Sequence, residues 1–177
     1  DLPPIGSDLI IYDFEFLFER EGFVSGYSIS NDEGVLYQTT DGGLNWSLVY
    51  NLAPFGQVNN VRFKNLELLG ENTLVMDQAF MLFKSENNGN AWSILSSYAP
   101  NEFQFVDEQR AWGTGFWKLL GGGTTILFSD DGGRNWKPQG SELGAIEGIN
   151  GMYMFNEDIG IAVGTDGQIY RTEKGGF

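Results

Sequence analysis

Thr39-Thr40-Asp41-Gly42-Gly43-Leu44-Asn45-Trp46 recurs twice more, as Ser85-Glu86-Asn87-Asn88-Gly89-Asn90-Ala91-Trp92 and as Ser129-Asp130-Asp131-Gly132-Gly133-Arg134-Asn135-Trp136. The three stretches share the pattern Ser/Thr-x-Asp/Asn-x-Gly-x-x-Trp, and their tryptophans lie 46 and 44 residues apart. A fixed period of roughly 40 to 50 residues is the signature of a repeat architecture. A fourth stretch opens at Thr172-Glu173-Lys174-Gly175-Gly176, with Lys174 where aspartate is expected, and the sequence ends at Phe177 before its tryptophan is reached.

Each part of the pattern has a structural task. The Asp or Asn oxygen accepts from backbone amides ahead of it, glycine supplies the positive φ that a Cβ forbids, and the Ser/Thr hydroxyl ties the turn together. The tryptophan plugs the turn into the sheet, so Trp46, Trp92 and Trp136 are expected to be mostly buried. The structural set is therefore Thr39, Asp41, Gly43 and Trp46; Ser85, Asn87, Gly89 and Trp92; and Ser129, Asp131, Gly133 and Trp136.

An apolar run leads into each box (Val35-Leu36-Tyr37, Met81-Leu82-Phe83, Ile126-Leu127-Phe128) and another leads out from the tryptophan, which makes the box a hairpin corner between two antiparallel strands. Two further runs precede each corner. They are Phe14 to Phe18 and Phe23 to Gly26; Val61 to Phe63 and Leu74 to Met76; Phe103 to Val106 and Trp112 to Gly115; and Met152 to Phe155 and Ile161 to Gly164. Every unit thus reads as four short strands, a to d, with the box between c and d. Four-stranded units at this period are the blades of a β-propeller, an all-β fold that leaves only short, protected edges. The reading gives a single domain over residues 1–177 with repeats at about 9–50, 59–96, 102–139 and 149–177, the last incomplete. Strand c of repeat 4 is expected to present an open edge, since Pro3 and Pro4 cannot donate to a ladder. Further blades in a longer chain are the expected completion.

These residues carry a family resemblance over nearly the whole chain. The box resembles the BNR or Asp-box repeat, and its longer form is similar to the photosystem II stability/assembly factor-like propellers. In that form a Gly-ending b strand (Ala111 to Gly115, Ile161 to Gly164) precedes the aromatic, hydroxyl and Asp-Gly-Gly residues. The resemblance implies a β-propeller acting as a non-catalytic protein-binding or complex-assembly module. It also implies an extracytoplasmic setting in the bacterial periplasm or at the cell surface, where a processed or lipid-anchored protein would fit a start at Asp1. Asp boxes also occur in sialidases and glucan-cleaving hydrolases, so a carbohydrate-binding module or glycosidase is the alternative.

Composition narrows the functions. A chain of 177 residues that is 41% hydrophobic and 15% aromatic can bury a substantial core. Its net charge of −14, from 24 acidic and 10 basic residues, argues against nucleic acid and anionic membranes as partners. With no Cys and no His, thiolate chemistry, disulfides and the usual general base are absent. No run of about 18 apolar residues spans a bilayer. Arg20, Arg62, Arg110, Arg134 and Arg171 fall at unrelated places in their repeats, so no carboxylate-gripping arginine triad is formed, and no metal, cofactor or catalytic residue is expected.

In a four-stranded blade the boxes share one face with the a–b turns. The opposite face, built from b–c and d–a connections, is the candidate binding face. Repeats 1 and 3 are expected to carry extra b–c loop residues, Tyr27 to Glu33 and Phe116 to Gly123, and the second stretch is apolar for a loop. The d–a connections add Leu52-Ala53-Pro54-Phe55 and Tyr98-Ala99-Pro100. Candidate contacts are Tyr27, Asn31, Asp32, Phe55, Tyr98, Phe116, Trp117 and Leu119, offered to another protein, with sugar rings as the alternative ligand.

Overall fold

Apolar runs punctuated by glycine, asparagine and serine turns fold into antiparallel meanders. The computed structural model describes residues 8–52, 63–78, 80–116, 124–139 and 148–176. Blade 1 comprises β1 (Leu9–Phe16), β2 (Gly22–Ser28), β3 (Glu33–Thr39) and β4 (Ser47–Leu52). Blade 2 comprises β5 (Phe63–Leu68), β6 (Leu74–Gln78), β7 (Met81–Ser85) and β8 (Ser93–Ser96). Blade 3 comprises β9 (Glu102–Phe105), β10 (Ala111–Phe116), β11 (Thr124–Ser129) and β12 (Lys137–Pro138). Blade 4 has β13 (Ile149–Met154), β14 (Gly160–Gly164) and β15 (Ile169–Thr172). Strands follow chain order in every sheet, and among the described residues no strand pairs with the outer edge of β15. The fold class is the all-β, four-blade arrangement expected, with its last blade incomplete.

Two compact units, Asp1–Ala99 and Pro100–Phe177, hold two blades each. In the first, β5 packs against β1, β2 and β3. Phe23 and Leu36 of blade 1 there meet Phe63, Leu66, Leu74 and Met76 of blade 2 in one buried cluster. In the second unit, Trp112 and Ile126 of blade 3 meet Ile149, Met154 and Ala162 of blade 4. The central b strands are sandwiched on both sides, so every residue of β2 and β6 is buried.

Polar bridges complement the apolar contacts between blades. Asp13 on β1 accepts from the Leu66 amide (2.9 Å), and Gln104 on β9 both accepts from the Met154 amide (2.7 Å) and donates to its carbonyl (2.9 Å). The ladder between β5 and β6 slips between Phe63 and Leu66, which frees the amides of Lys64 and Asn65. Both donate to the Asp77 carboxylate, at 3.1 and 2.7 Å. Burial pushes the Asp77 carboxyl above the usual aspartate range, against the pull of those two amides. The slip leaves two amides without ladder partners, and a carboxylate on the adjacent strand satisfies both, which accounts for a polar residue within an apolar strand.

Several sequence expectations shift. The a strand of repeat 2 runs over β5, beginning at the Phe63 that closes the apolar run read for it, because Phe63, Leu66 and Leu68 are the residues that reach the core side. Of the residues read as extra loop in repeat 1, Tyr27, Ser28 and Glu33 lengthen the strands: pairing continues to Ser28 opposite Glu33, leaving residues 29–32 as the turn. Of the three box tryptophans, Trp136 is buried (7% exposed), whereas Trp46 and Trp92 are only half-buried. Trp46 meets the Phe16 ring edge-on at the surface of blade 1, and Trp92 leans on Tyr50 of blade 1.

Candidate functional site

The boxes come first, because they decide which face is free. In blade 1 the Thr39 hydroxyl accepts from the amides of Asp41 (3.3 Å) and Gly43 (2.8 Å) and donates to Asp41 Oδ1 (2.9 Å). Asp41 then accepts from the Asn45 amide (2.9 Å) and side chain (2.8 Å), and the Trp46 indole donates to the Gly43 carbonyl (3.1 Å). Ser85, Asn87, Gly89 and Trp92 repeat this pattern with the Ala91 amide as the far donor. Ser129, Asp131, Gly133, Asn135 and Trp136 repeat it again. The Asn45 side chain, foremost, holds the Asp41 carboxyl below its ordinary value. For Asp131, burial is the largest single influence and raises it, yet the Asn135 side chain and amide and the Ser129 hydroxyl together bring it below the ordinary value.

The box also clasps the a–b turn of its own blade. The amides of Gly42, Gly132 and Gly175 donate to the carbonyls of Arg20 (2.9 Å), Gln109 (2.8 Å) and Asp158 (2.9 Å). Gly132 has φ +74, and a Cβ there would come within 2.8 Å of the Glu108 carbonyl oxygen, so two separate reasons require glycine. With their polar groups spent on one another, the box residues are corner-builders.

The opposite ends of the blades hold the candidate binding residues. Blades 1 and 2 point the same way, since the Phe63 ring at the start of β5 lies against Gly34 near the start of β3. Tyr27, next to last in β2, is a buried residue (8% exposed) whose hydroxyl donates to Asp32. It is a prop for the turn, and only Asp32 and its neighbours meet solvent. Asn31 is exposed and donates to Glu33 (3.0 Å), which also accepts from Asn51 (2.9 Å). The Asp8 carboxyl, held below the ordinary value chiefly by the Ser30 hydroxyl, closes the same turn. Tyr98 is half-buried, and burial pushes its hydroxyl up. Phe116 is the last residue of β10, paired with Thr124. Phe55, Trp117 and Leu119, and the side chain of Phe116, lie outside the described residues.

One residue escaped the sequence reading. Phe80 sits in the two-residue turn between the paired Gln78 and Met81. Its φ is +76 and its side chain is 82% exposed. A left-handed residue with a Cβ costs roughly 1–2 kcal/mol, and such turns favour Gly or Asn there. The turn is pinned by the Ala99 amide, which donates to the Phe80 carbonyl at 2.7 Å. At its base Gln78 is 5% exposed, and its buried Oε1 has no hydrogen-bond partner among the described residues. The sequence offers none of the usual turn residues at this connection, so nothing in it marked Phe80.

A second concavity of about 660 Å3 lies on the box side of the second unit, between the a–b turns of blades 3 and 4, and is lined by Phe105, Arg110, Tyr153, Phe155 and Glu157 among others. Its charges satisfy one another: Arg110 pairs with Asp107 (2.6 Å) and with Glu157. The Arg110 hydrogen bond is the foremost reason that the Asp107 carboxyl lies below the ordinary value. Among the described residues no group of three His, Cys, Asp or Glu side chains is placed to hold a metal, and no helix is long and apolar enough to cross a membrane.

Repeated four-stranded blades cornered by these boxes define the class as a β-propeller. Within that class, the family described as photosynthesis system II assembly factor YCF48 matches residues 4–100, and the chain belongs to that family. A solved structure of YCF48 bound to D1 peptide is similar with a TM-score of 0.62 at 20% identity, covering 97% of this chain and 53% of that one. This chain therefore spans about half the length of that protein. YCF48 from Cyanidioschyzon merolae aligns at 14% identity with a TM-score of 0.35, over 96% of this chain and 97% of that chain. Among curated proteins none matches.

Proposed function

We propose that this chain is a non-catalytic protein-binding module that serves the assembly of a complex in the bacterial cell envelope, with the face opposite the boxes as its docking side. The observation that carries the reading is membership of an assembly-factor family together with a fold like that of a YCF48 holding a D1 peptide. The geometry supports it in a second way. Exposed apolar side chains stand at both ends of the blades, Phe18, Leu44 and Phe155 at the box end and Ile29 and Phe80 at the other. The box end, however, spends its polar groups on its own corners, and Phe80 is the most exposed of these side chains. Proteins bury such side chains against a partner. A periplasmic or cell-surface location belongs to the same proposal, and cell fractionation tests it. The carbohydrate alternative follows from the occurrence of Asp boxes in sialidases and glucan-cleaving hydrolases and from aromatic loops that would stack on sugar rings. Phe55, Trp117 and Leu119 of those loops lie outside the described residues, and no observation favours it over the protein-binding reading.

Native mass spectrometry of the protein purified from envelope fractions, alongside a glycan array, tests the assignment. A stoichiometric protein partner and no oligosaccharide binding is the expected result. Oligosaccharide binding with no protein partner would overturn it.

A further inference from the structure

Phe80 is expensive where it stands. A short hairpin that needs positive φ is served at no steric cost by glycine and at little cost by asparagine, yet this turn uses a phenylalanine with φ +76. Its ring gains little from the protein in return, because it is 82% exposed. Backbone strain persists only where the surroundings impose it, and it gathers at sites that do something. Here the surroundings do impose it. The Phe80 carbonyl is held by the Ala99 amide, and Ala99 follows Tyr98, whose own amide donates to the buried Ser96 hydroxyl at 3.2 Å. The b–c turn and the d–a connection of blade 2 thus form one braced platform that presents an aromatic ring outward.

The neighbouring turn of blade 1, on the same face, supplies a second apolar side chain and the charge. Ile29 is 57% exposed. At the same turn stand the carboxylates of Asp8, Asp32 and Glu33, bound by hydroxyl and amide donors and, among the described residues, by no cation. Lys64, near the start of β5, is the basic residue at this end of the described first unit. An exposed ring on blade 2 and, at the same end of blade 1, an exposed isoleucine within a carboxylate-rich turn, on a chain of net charge −14, match a segment of apolar and basic character.

We infer that Phe80 is the anchor of a docking site for an extended polypeptide segment whose apolar side chains are flanked by lysine or arginine. The site rests on the protein-binding reading above and gives it a residue and a partner chemistry. The strained turn is the cost of holding the ring rigid and exposed before the partner arrives.

Two synthetic peptides test this, one with a central apolar trio flanked by lysines and one with the same trio flanked by glutamates. Binding is read by calorimetry and stability by thermal melting, on the wild type and on Phe80→Gly, Phe80→Asn and Phe80→Trp. The lysine-flanked peptide should bind the wild type and Phe80→Trp, the glutamate-flanked one should not, and Phe80→Gly and Phe80→Asn should lose about tenfold or more in affinity. Both weakened variants should melt no lower than the wild type, because relief of strain offsets whatever the ring contributes. That combination separates a contact residue from a structural one. If Phe80→Gly and Phe80→Asn bind the lysine-flanked peptide as the wild type does, the anchor is wrong while the protein-binding reading survives. If the glutamate-flanked peptide binds equally well, the partner chemistry is wrong. If neither peptide binds although an envelope partner co-purifies, the inference falls and the broader reading stands.

Discussion

The corners of blades 3 and 4 belong to the same compact unit and differ at one informative position, Asp131 against Lys174. Despite the exchange, the backbone of the fourth corner keeps its form. The Thr172 hydroxyl still accepts from the amides of Lys174 (3.3 Å) and Gly176 (3.1 Å), as Ser129 does for Asp131 and Gly133. The Gly175 amide still reaches the a–b turn, as Gly132 does. The hydroxyl and the glycine therefore shape the corner. The aspartate does something later: it braces the descent into strand d by holding the Asn135 amide and side chain. Blade 4 lacks the carboxylate at its corner, and among the described residues it also lacks the strand that the carboxylate would brace.

This division of labour orders the consequences of mutation. The largest loss should come from Trp136→Ala, at about 3–5 kcal/mol, through lost burial and the cavity left behind. Trp46→Ala should cost clearly less, since its indole is only half-buried. Urea unfolding of both variants measures the gap, and equal losses would mean that the tryptophans stabilise by something other than burial. Next comes Ser129→Ala, which leaves the buried Gly133 amide without its acceptor at a cost of about 1–3 kcal/mol. Thr172→Ala should cost less because its bond from the Gly176 amide (3.1 Å) is longer than that from Gly133 (2.9 Å) and its corner is more open to water. If Thr172→Ala proved the worse of the two, the hydroxyl-first account of the corner would fail. Asp131→Lys, which copies blade 4 into blade 3, should lose only about 1 kcal/mol and keep the fold, as the fourth corner already shows.

The smallest expected effect is in acid. Asp41 and Asp131 have folded-state values below the ordinary aspartate value of 3.8. Above that value both folded and unfolded chains carry them ionised, and their stabilisation is complete. As the pH falls through it the unfolded chain takes up protons first, so stability drains until the depressed values are passed. Asp77 has the opposite sign. Its raised value means that the folded chain takes up its proton first on the way down, so below neutrality it offsets part of the loss. Unfolding free energy followed from pH 6 to pH 3 should therefore fall in the wild type mainly near and below 3.8, and fall less in Asp131→Asn.

Much of this architecture was readable because it is local. A Ser/Thr, an Asp/Asn and a glycine within five residues make their hydrogen bonds to one another, so the pattern and the geometry are nearly the same statement. The blades followed from the period. What could not be read depends on neighbours distant in sequence. The half-burial of Trp46 and Trp92 is set by Phe16 and Tyr50, and the role of Asp77 by a slip in a strand that pairs with it. Tyr27 was read as a loop residue because its run passes the Gly26 that seemed to end the strand, whereas pairing carries on two residues further. Phe80 hid inside a short, unremarkable connection, since its exposure and its positive φ are properties of the folded turn alone.

The central claim is that the two faces have separate tasks, corner-building on one and docking on the other. Amide hydrogen exchange of the protein with and without the lysine-flanked peptide tests it most directly. The account predicts new protection at the turns over residues 28–33, 78–81 and 97–99, with residues 39–46, 85–92 and 129–136 unchanged. Protection that appears at the boxes and leaves those turns as they were would contradict it.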